Sequence, residues 1–149
     1  MSNKPYRPAG NRHHVVIIGS GFGGLFAARE LDGADVDVTL ISRTNFPLFP
    51  PLLSQVATGI LGSGEIATST RQILGKQKNT DVVRGDVTDI NLADKTVTFT
   101  EGDVTRVYEY DSLIVAAGAG QSYFGNDHFA EFAPCLLYTS DAADDSLRV

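Results

Sequence analysis

At 149 residues, with 42% hydrophobic and 20% charged residues, the chain has the size and composition of one globular domain with a core of its own. Its net charge of −6 argues against nucleic acid as a partner, because phosphate neutralisation needs clustered Lys and Arg. The single cysteine, Cys135, excludes an intrachain disulfide framework, a cysteine-rich zinc site and a C-x-x-C redox pair.

Residues 1–12 are polar and proline-containing, with no apolar stretch of the kind a secretory signal needs, and are expected to be a disordered segment. No apolar run approaches the length of a membrane span, so a cytoplasmic location is expected. Val15 to Ile18 then forms an apolar run that reads as a buried strand. It leads directly into Gly19-Ser20-Gly21-Phe22-Gly23-Gly24, a G-x-G-x-x-G placed between a strand and a helix. In that setting backbone N–H groups and the helix N-terminus face a pyrophosphate. Gly19 permits the tight turn, Gly21 removes a Cβ that would block the phosphates, and Gly24 lets the helix pack closely.

Leu25, Ala28 and Leu31 recur at helical spacing on a segment starting near Phe22, and Asp32-Gly33 ends it. Val36, Val38, Leu40 and Ile41 read as a second strand, completing a βαβ unit within residues 14–42 whose strands should be parallel neighbours. At the end of that strand, where an acidic residue would receive ribose hydroxyls, stand Ser42 and Arg43. Two readings fit: a weak serine contact to an unphosphorylated ribose, or a small residue beside an arginine that accommodates the 2′-phosphate of NADP.

Residues 43–64 form an apolar loop stiffened by Pro47, Pro50 and Pro51, which either covers the core of its own domain or shields one side of a flat cofactor ring. Glu65 to Gly75 reads as a helix and Asp81 to Val83 as a third strand. Val87–Ile90, Thr96–Thr100 and Val104–Tyr110 read as a small antiparallel meander in which Val97 and Phe99 alternate with threonines. Leu113 to Ala117 is a fully apolar strand that stops at Gly118-Ala119-Gly120, where small residues allow a ligand close to the backbone. His13 and His14 are expected at an exposed edge, His128 in a solvated turn, and Asp86 and Asp89 as loop and strand-edge charges. No metal site and no catalytic side chain is expected.

The stretches Val16–Gly24, Arg43-Thr44-Asn45 with Leu48-Phe49, Pro51-Leu52-Leu53 and Gln55–Gly59, and Tyr110–Ala119 with Ser122–Gly125 together resemble the N-terminal part of the type II NADH dehydrogenases. These are non-electrogenic NADH:quinone oxidoreductases of the pyridine nucleotide-disulfide oxidoreductase-like flavoproteins, and the resemblance covers residues 13–134. It implies an α/β fold of the Rossmann-like FAD/NAD(P)-binding type, incomplete here, with a small antiparallel β-meander. It implies FAD, with its pyrophosphate on Gly19, Ser20, Gly21, Phe22, Gly23 and Gly24 and its adenosine ribose flanked by Ser42 and Arg43. The adenine would meet the backbone of Val87, Ala117 and Gly118 would approach the cofactor, and Gln55, Ala57 and Thr58 would lie near the isoalloxazine.

In such enzymes NADH is a co-substrate held by a second glycine-rich fold, expected beyond residue 150, and a quinone is the acceptor. Peripheral membrane association, on the cytoplasmic face, is expected only of the full-length protein. The chain alone is expected to retain FAD weakly or not at all and to be inactive. Residues 135–149 do not read as the family's continuation and are expected to be a tail foreign to it, following a truncated gene model. Two alternatives stand beside this reading: a flavoprotein reductase with another acceptor, and a non-catalytic NADP-binding module. Sulfide:quinone reductases need catalytic cysteines, which residues 13–134 lack.

Overall fold

The computed structural model describes residues 5–47, 52–62, 68–118 and 128. The chain divides into two compact units, Met1–Pro47 with Thr68–Gly118, and Leu48–Ala67 with Ala119–Val149.

The first unit is built on β1 (His13–Ile18), α1 (Phe22–Glu30), β2 (Val36–Ser42), β3 (Thr80–Arg84) and β7 (Ser112–Val115). These strands form one parallel sheet in the order β3-β2-β1-β7. The register sets Ile18 beside Ile41 on one side and Val115 on the other, so three strand ends lie level. Along β1 successive side chains point to opposite faces, and residues Val15 to Ile18 are all buried. A strand covered on both faces reads as an unbroken apolar run rather than an alternation. Val15, Ile17, Val38 and Leu40 pack with Leu25 and Ala28 of α1 and with Leu74 of a short helix, Thr70–Leu74. On the other face Val16, Ile18 and Ile41 pack with Val97, Phe99 and Tyr110.

Val97 and Phe99 belong to the meander β4 (Asp86–Asn91), β5 (Thr96–Glu101) and β6 (Val104–Glu109), an antiparallel sheet of its own. Both are fully buried, while Thr96, Thr98 and Thr100 are half-buried, as the alternation requires. Burying a ring the size of Phe99 contributes about 2 kcal/mol. Gly85, at the junction of β3 and β4, is needed for this: a Cβ there would lie 2.4 Å from Cδ2 of Phe99. The carbonyls at the C-terminus of α1 are met by side chains from the turn before β3, Gln77 donating to Ala28 at 2.9 Å and Asn79 to Leu31 at 2.8 Å.

Several expectations are corrected. Disorder over residues 1–12 does not describe Tyr6, which bridges to Tyr108: its N–H donates to Val107 at 2.7 Å and its carbonyl accepts from Glu109 at 2.9 Å. The tyrosine rings meet at 4.5 Å. Of the histidine pair only His13 is exposed; His14 is fully buried. Its Nδ1 donates to the Glu109 carbonyl at 2.5 Å, and its Nε2 accepts from the Thr39 hydroxyl at 2.9 Å. Burial holds its pKa below the usual histidine value. The Asp111 carboxyl accepts the His14 backbone N–H at 2.8 Å and the Arg7 guanidinium, and both hold it below the usual carboxylate range. Of the helix expected over Glu65–Gly75, the described part is interrupted at Ser69, which is extended (ψ 133), and runs Thr70–Leu74; residues 63–67 lie outside the described residues. The last strand ends at Val115 rather than at Ala117, although the Ala116 N–H still donates to Ile18 at 2.8 Å.

In the second unit the proline-rich stretch contains a helix rather than only loop, α2 (Leu53–Ala57); the Thr70–Leu74 helix is therefore α3. Thr58 closes α2 by donating its hydroxyl to Ser54 at 2.9 Å, and Gly59 follows at φ +71. Residues 48–51, and nearly all of 119–149, lie outside the described residues. His128, the exception, is exposed. Among the described residues no helix is long and apolar enough to cross a membrane.

Candidate functional site

The C-terminal edge of the parallel sheet gathers three chain reversals. The first leaves β1 at Gly19, whose φ of +103 favours glycine and whose N–H donates to Ile41 at 2.8 Å. A Cβ on Gly19 would lie 2.2 Å from the Ala116 carbonyl oxygen, so the turns after β1 and β7 approach too closely for any other residue. A Cβ on Gly24 would lie 1.8 Å from the Gly19 carbonyl oxygen, which accounts for the third glycine as helix packing.

Gly21 is different. It has ordinary extended backbone (φ −67, ψ −172), and a Cβ there would meet no atom of the described residues within 4 Å. Among the described residues nothing requires glycine at this position. It caps α1 without a side chain, and no acidic residue stands in the first turn. The N-terminal dipole of a nine-residue helix is therefore left to an anion approaching over Gly21. Gly23 is exposed, with Ala116 Cβ at an ordinary 3.5 Å. Phe22 stacks on Phe26 at 6.4 Å on the outer side of α1.

The second reversal follows β2. Ser42 is buried, and its hydroxyl hydrogen-bonds that of Ser20 at 2.8 Å. Arg43 is exposed and lines an open cleft of about 520 Å³ together with Arg84, Asp86 and Glu101. Val87 lies on β4 opposite Phe99, half-buried, and the ladder shifts register between Val87 and Asp89. Such a bulge interrupts backbone pairing beside the cleft. The third reversal contains Ala117 and Gly118, both exposed, the latter at φ +76.

The structure thus brings Gly19–Gly24, Ser42, Arg43, Ala117 and Gly118 to one sheet edge. Gln55 and Thr58 are exposed, and with Ala57 they belong to the second unit. Asp86 and Arg84 were not expected in the site. Their signal is tertiary: Arg84 is the register partner of Ser42. Among the described residues no group of His, Cys, Asp and Glu could hold a metal ion.

Residues 13–147 match the pyridine nucleotide-disulphide oxidoreductase family. This chain belongs to that family. Among members, it is 62% identical over 135 residues to a type II NADH:quinone oxidoreductase of Mycobacterium tuberculosis, covering 91% of this chain and 29% of that protein. Its structure is similar to NDH2 from Plasmodium falciparum solved in complex with NADH, with a TM-score of 0.73 and 28% identity over 81% of this chain and 25% of that one. It is also similar to the sulfide:quinone oxidoreductase of Aquifex aeolicus, with a TM-score of 0.67 and 26% identity, covering 89% of this chain and 32% of that one. The chain spans 29% of the length of the mycobacterial relative. Within the family the glycine turn, the parallel sheet and the β-meander form an α/β, Rossmann-like fold.

Proposed function

We propose that this chain is the FAD-binding portion of a non-electrogenic NADH:quinone oxidoreductase. The observation that carries the reading is the space at Gly21: a glycine that no described residue requires, over an uncapped helix start, in a chain similar to NADH:quinone oxidoreductases. These residues fit a pyrophosphate, because the turn offers backbone N–H groups with no side chain in the way.

In this reading Gly19 to Gly24 bind the pyrophosphate through backbone. Ser20 and Ser42 hold that turn to the end of β2, so the phosphates and the adenosine ribose are positioned by one rigid edge. Arg43 lies at the adenosine end, and the backbone at Val87 meets the adenine. Ala117 and Gly118 allow the cofactor close to the sheet. When bound, FAD supplies the redox chemistry that carries electrons from NADH to a quinone. No side chain of this chain takes a catalytic role; its residues bind and orient. NADH and quinone are partners of the complete protein, which we place at the cytoplasmic face of a membrane because its acceptor is lipid-soluble. The cysteines that oxidation of a sulfide donor uses have no counterpart in residues 13–134.

Titration of the purified chain with FAD, followed by flavin fluorescence, tests the binding; weak, saturable quenching is expected. The complete protein should purify yellow and oxidise NADH with a soluble quinone. A colourless protein that binds NADP tightly overturns the proposal.

A further inference from the structure

A ribose held at the end of β2 needs an acceptor for its hydroxyls, and Ser42 is poorly placed to provide it. Its hydroxyl is engaged by Ser20 at 2.8 Å, and the two side chains are buried. The backbone brings another candidate to the same place. Arg84 stands beside Ser42 in the β2–β3 register, and the Gly85 N–H donates to the Ser42 carbonyl at 2.9 Å. The chain therefore crosses the end of β2 at Gly85, and the next residue, Asp86, enters the cleft that Arg43 lines. Asp86 is exposed and, among the described residues, has no ion-pair or hydrogen-bond partner for its carboxylate. The other carboxylate of the cleft, Glu101, accepts from Arg106 at 2.9 Å.

We propose that Asp86 is the ribose-binding carboxylate of this protein, supplied from the second sheet in place of an acidic residue at the end of β2. It accepts the 2′- and 3′-hydroxyl protons of the adenosine ribose, with Arg43 and Arg84 flanking it in the cleft. The same charge repels a 2′-phosphate, so Asp86 selects an unphosphorylated ribose where the two arginines alone would favour a phosphorylated one. This rests on the reading that Gly19–Gly24 hold the pyrophosphate of FAD.

Calorimetric titration of the purified chain with ADP, 2′-deoxy-ADP and ADP carrying a 2′-phosphate tests the assignment without any enzyme assay. ADP is expected to bind about tenfold more tightly than its deoxy analogue, the loss of one hydrogen bond to a charged acceptor. In Asp86→Asn that preference falls to about twofold and the 2′-phosphate form gains, whereas Asp89→Asn, a charge on the same strand, changes neither. Thermal melts of both variants should match the parent, since both side chains are exposed. A preference that survives Asp86→Asn, or that disappears in Ser42→Ala alone, overturns the assignment. So does a parent protein that prefers the 2′-phosphate form, which gives the cleft to the arginine pair. Nucleotide binding without discrimination defeats the role of Asp86 only; absence of any ADP binding by the complete protein defeats the FAD reading with it.

Discussion

Ser20 and Ser42 share a buried hydrogen bond of 2.8 Å across 22 residues of sequence, and it is the side-chain tie between the glycine turn and the end of β2. It ties the glycine turn, where we propose the phosphates bind, to the strand end where we propose the ribose lies. Removing either hydroxyl leaves the other buried without its partner, at a cost of about 1–3 kcal/mol. Ser20→Ala and Ser42→Ala should each destabilise the protein by that order in urea denaturation. The double variant should cost clearly less than the sum, because it leaves no orphaned hydroxyl. Strict additivity would show that the pair does not interact.

The glycines of the turn should separate stability from binding. Gly24→Ala forces a Cβ onto the Gly19 carbonyl oxygen and should cost about 3 kcal/mol. Gly21→Ala meets no atom of the described residues and has an extended backbone that alanine accepts, so its melting temperature should hold or rise slightly. FAD affinity, in contrast, should fall at least about tenfold, because the new methyl occupies the approach to the helix N-terminus. Paired melts and flavin titrations read both effects.

His14 makes stability depend on pH. Its folded pKa lies below the ordinary value of 6.5, so between the two the unfolded chain binds more protons than the folded one. The stabilising contribution of the neutral ring is complete above pH 6.5 and declines as pH falls below it, by at most about 1.4 kcal/mol per pH unit. Denaturation midpoints of the parent should drop from pH 7 to pH 5, and His14→Gln, less stable throughout, should lose this slope. An unchanged slope in the variant would assign it to other groups. Asp111, whose folded pKa is also lowered, contributes in a separate window, full above 3.8 and lost as pH falls through its folded value.

The free edge of β3 is blunted by Arg71, whose Nε and Nη2 donate to the Val82 carbonyl at 3.3 and 3.1 Å. Arg71→Ala should cost about 1 kcal/mol and open that edge to pairing with another chain. Light scattering against concentration should show more self-association in the variant than in the parent.

The β1–turn–α1–β2 unit is legible in the sequence because its signals are local. An unbroken apolar run marks a strand covered on both faces, and glycines at fixed spacing mark a turn in which Gly19 and Gly24 leave no room for a Cβ. The packing reasons at Gly19 and Gly24 follow from the motif and reappear as distances. The membership of Ser42, Arg43, Ala117 and Gly118 in the sheet edge follows in the same way, since each ends an apolar strand.

Tertiary structure decided what depends on partners far along the chain. His14 looks like an edge residue until Thr39, Glu109 and Asp111 arrive around it. Tyr6 looks like part of a polar leader until β6 offers it backbone partners. Asp86 looks like a loop charge until Gly85 carries it across the end of β2. A sequence by itself determines where backbone conformation and burial pattern are set by near neighbours. Which hydroxyl, imidazole or carboxylate is left for a ligand is set by residues 22 to 97 positions away, and only the assembled sheets bring them together.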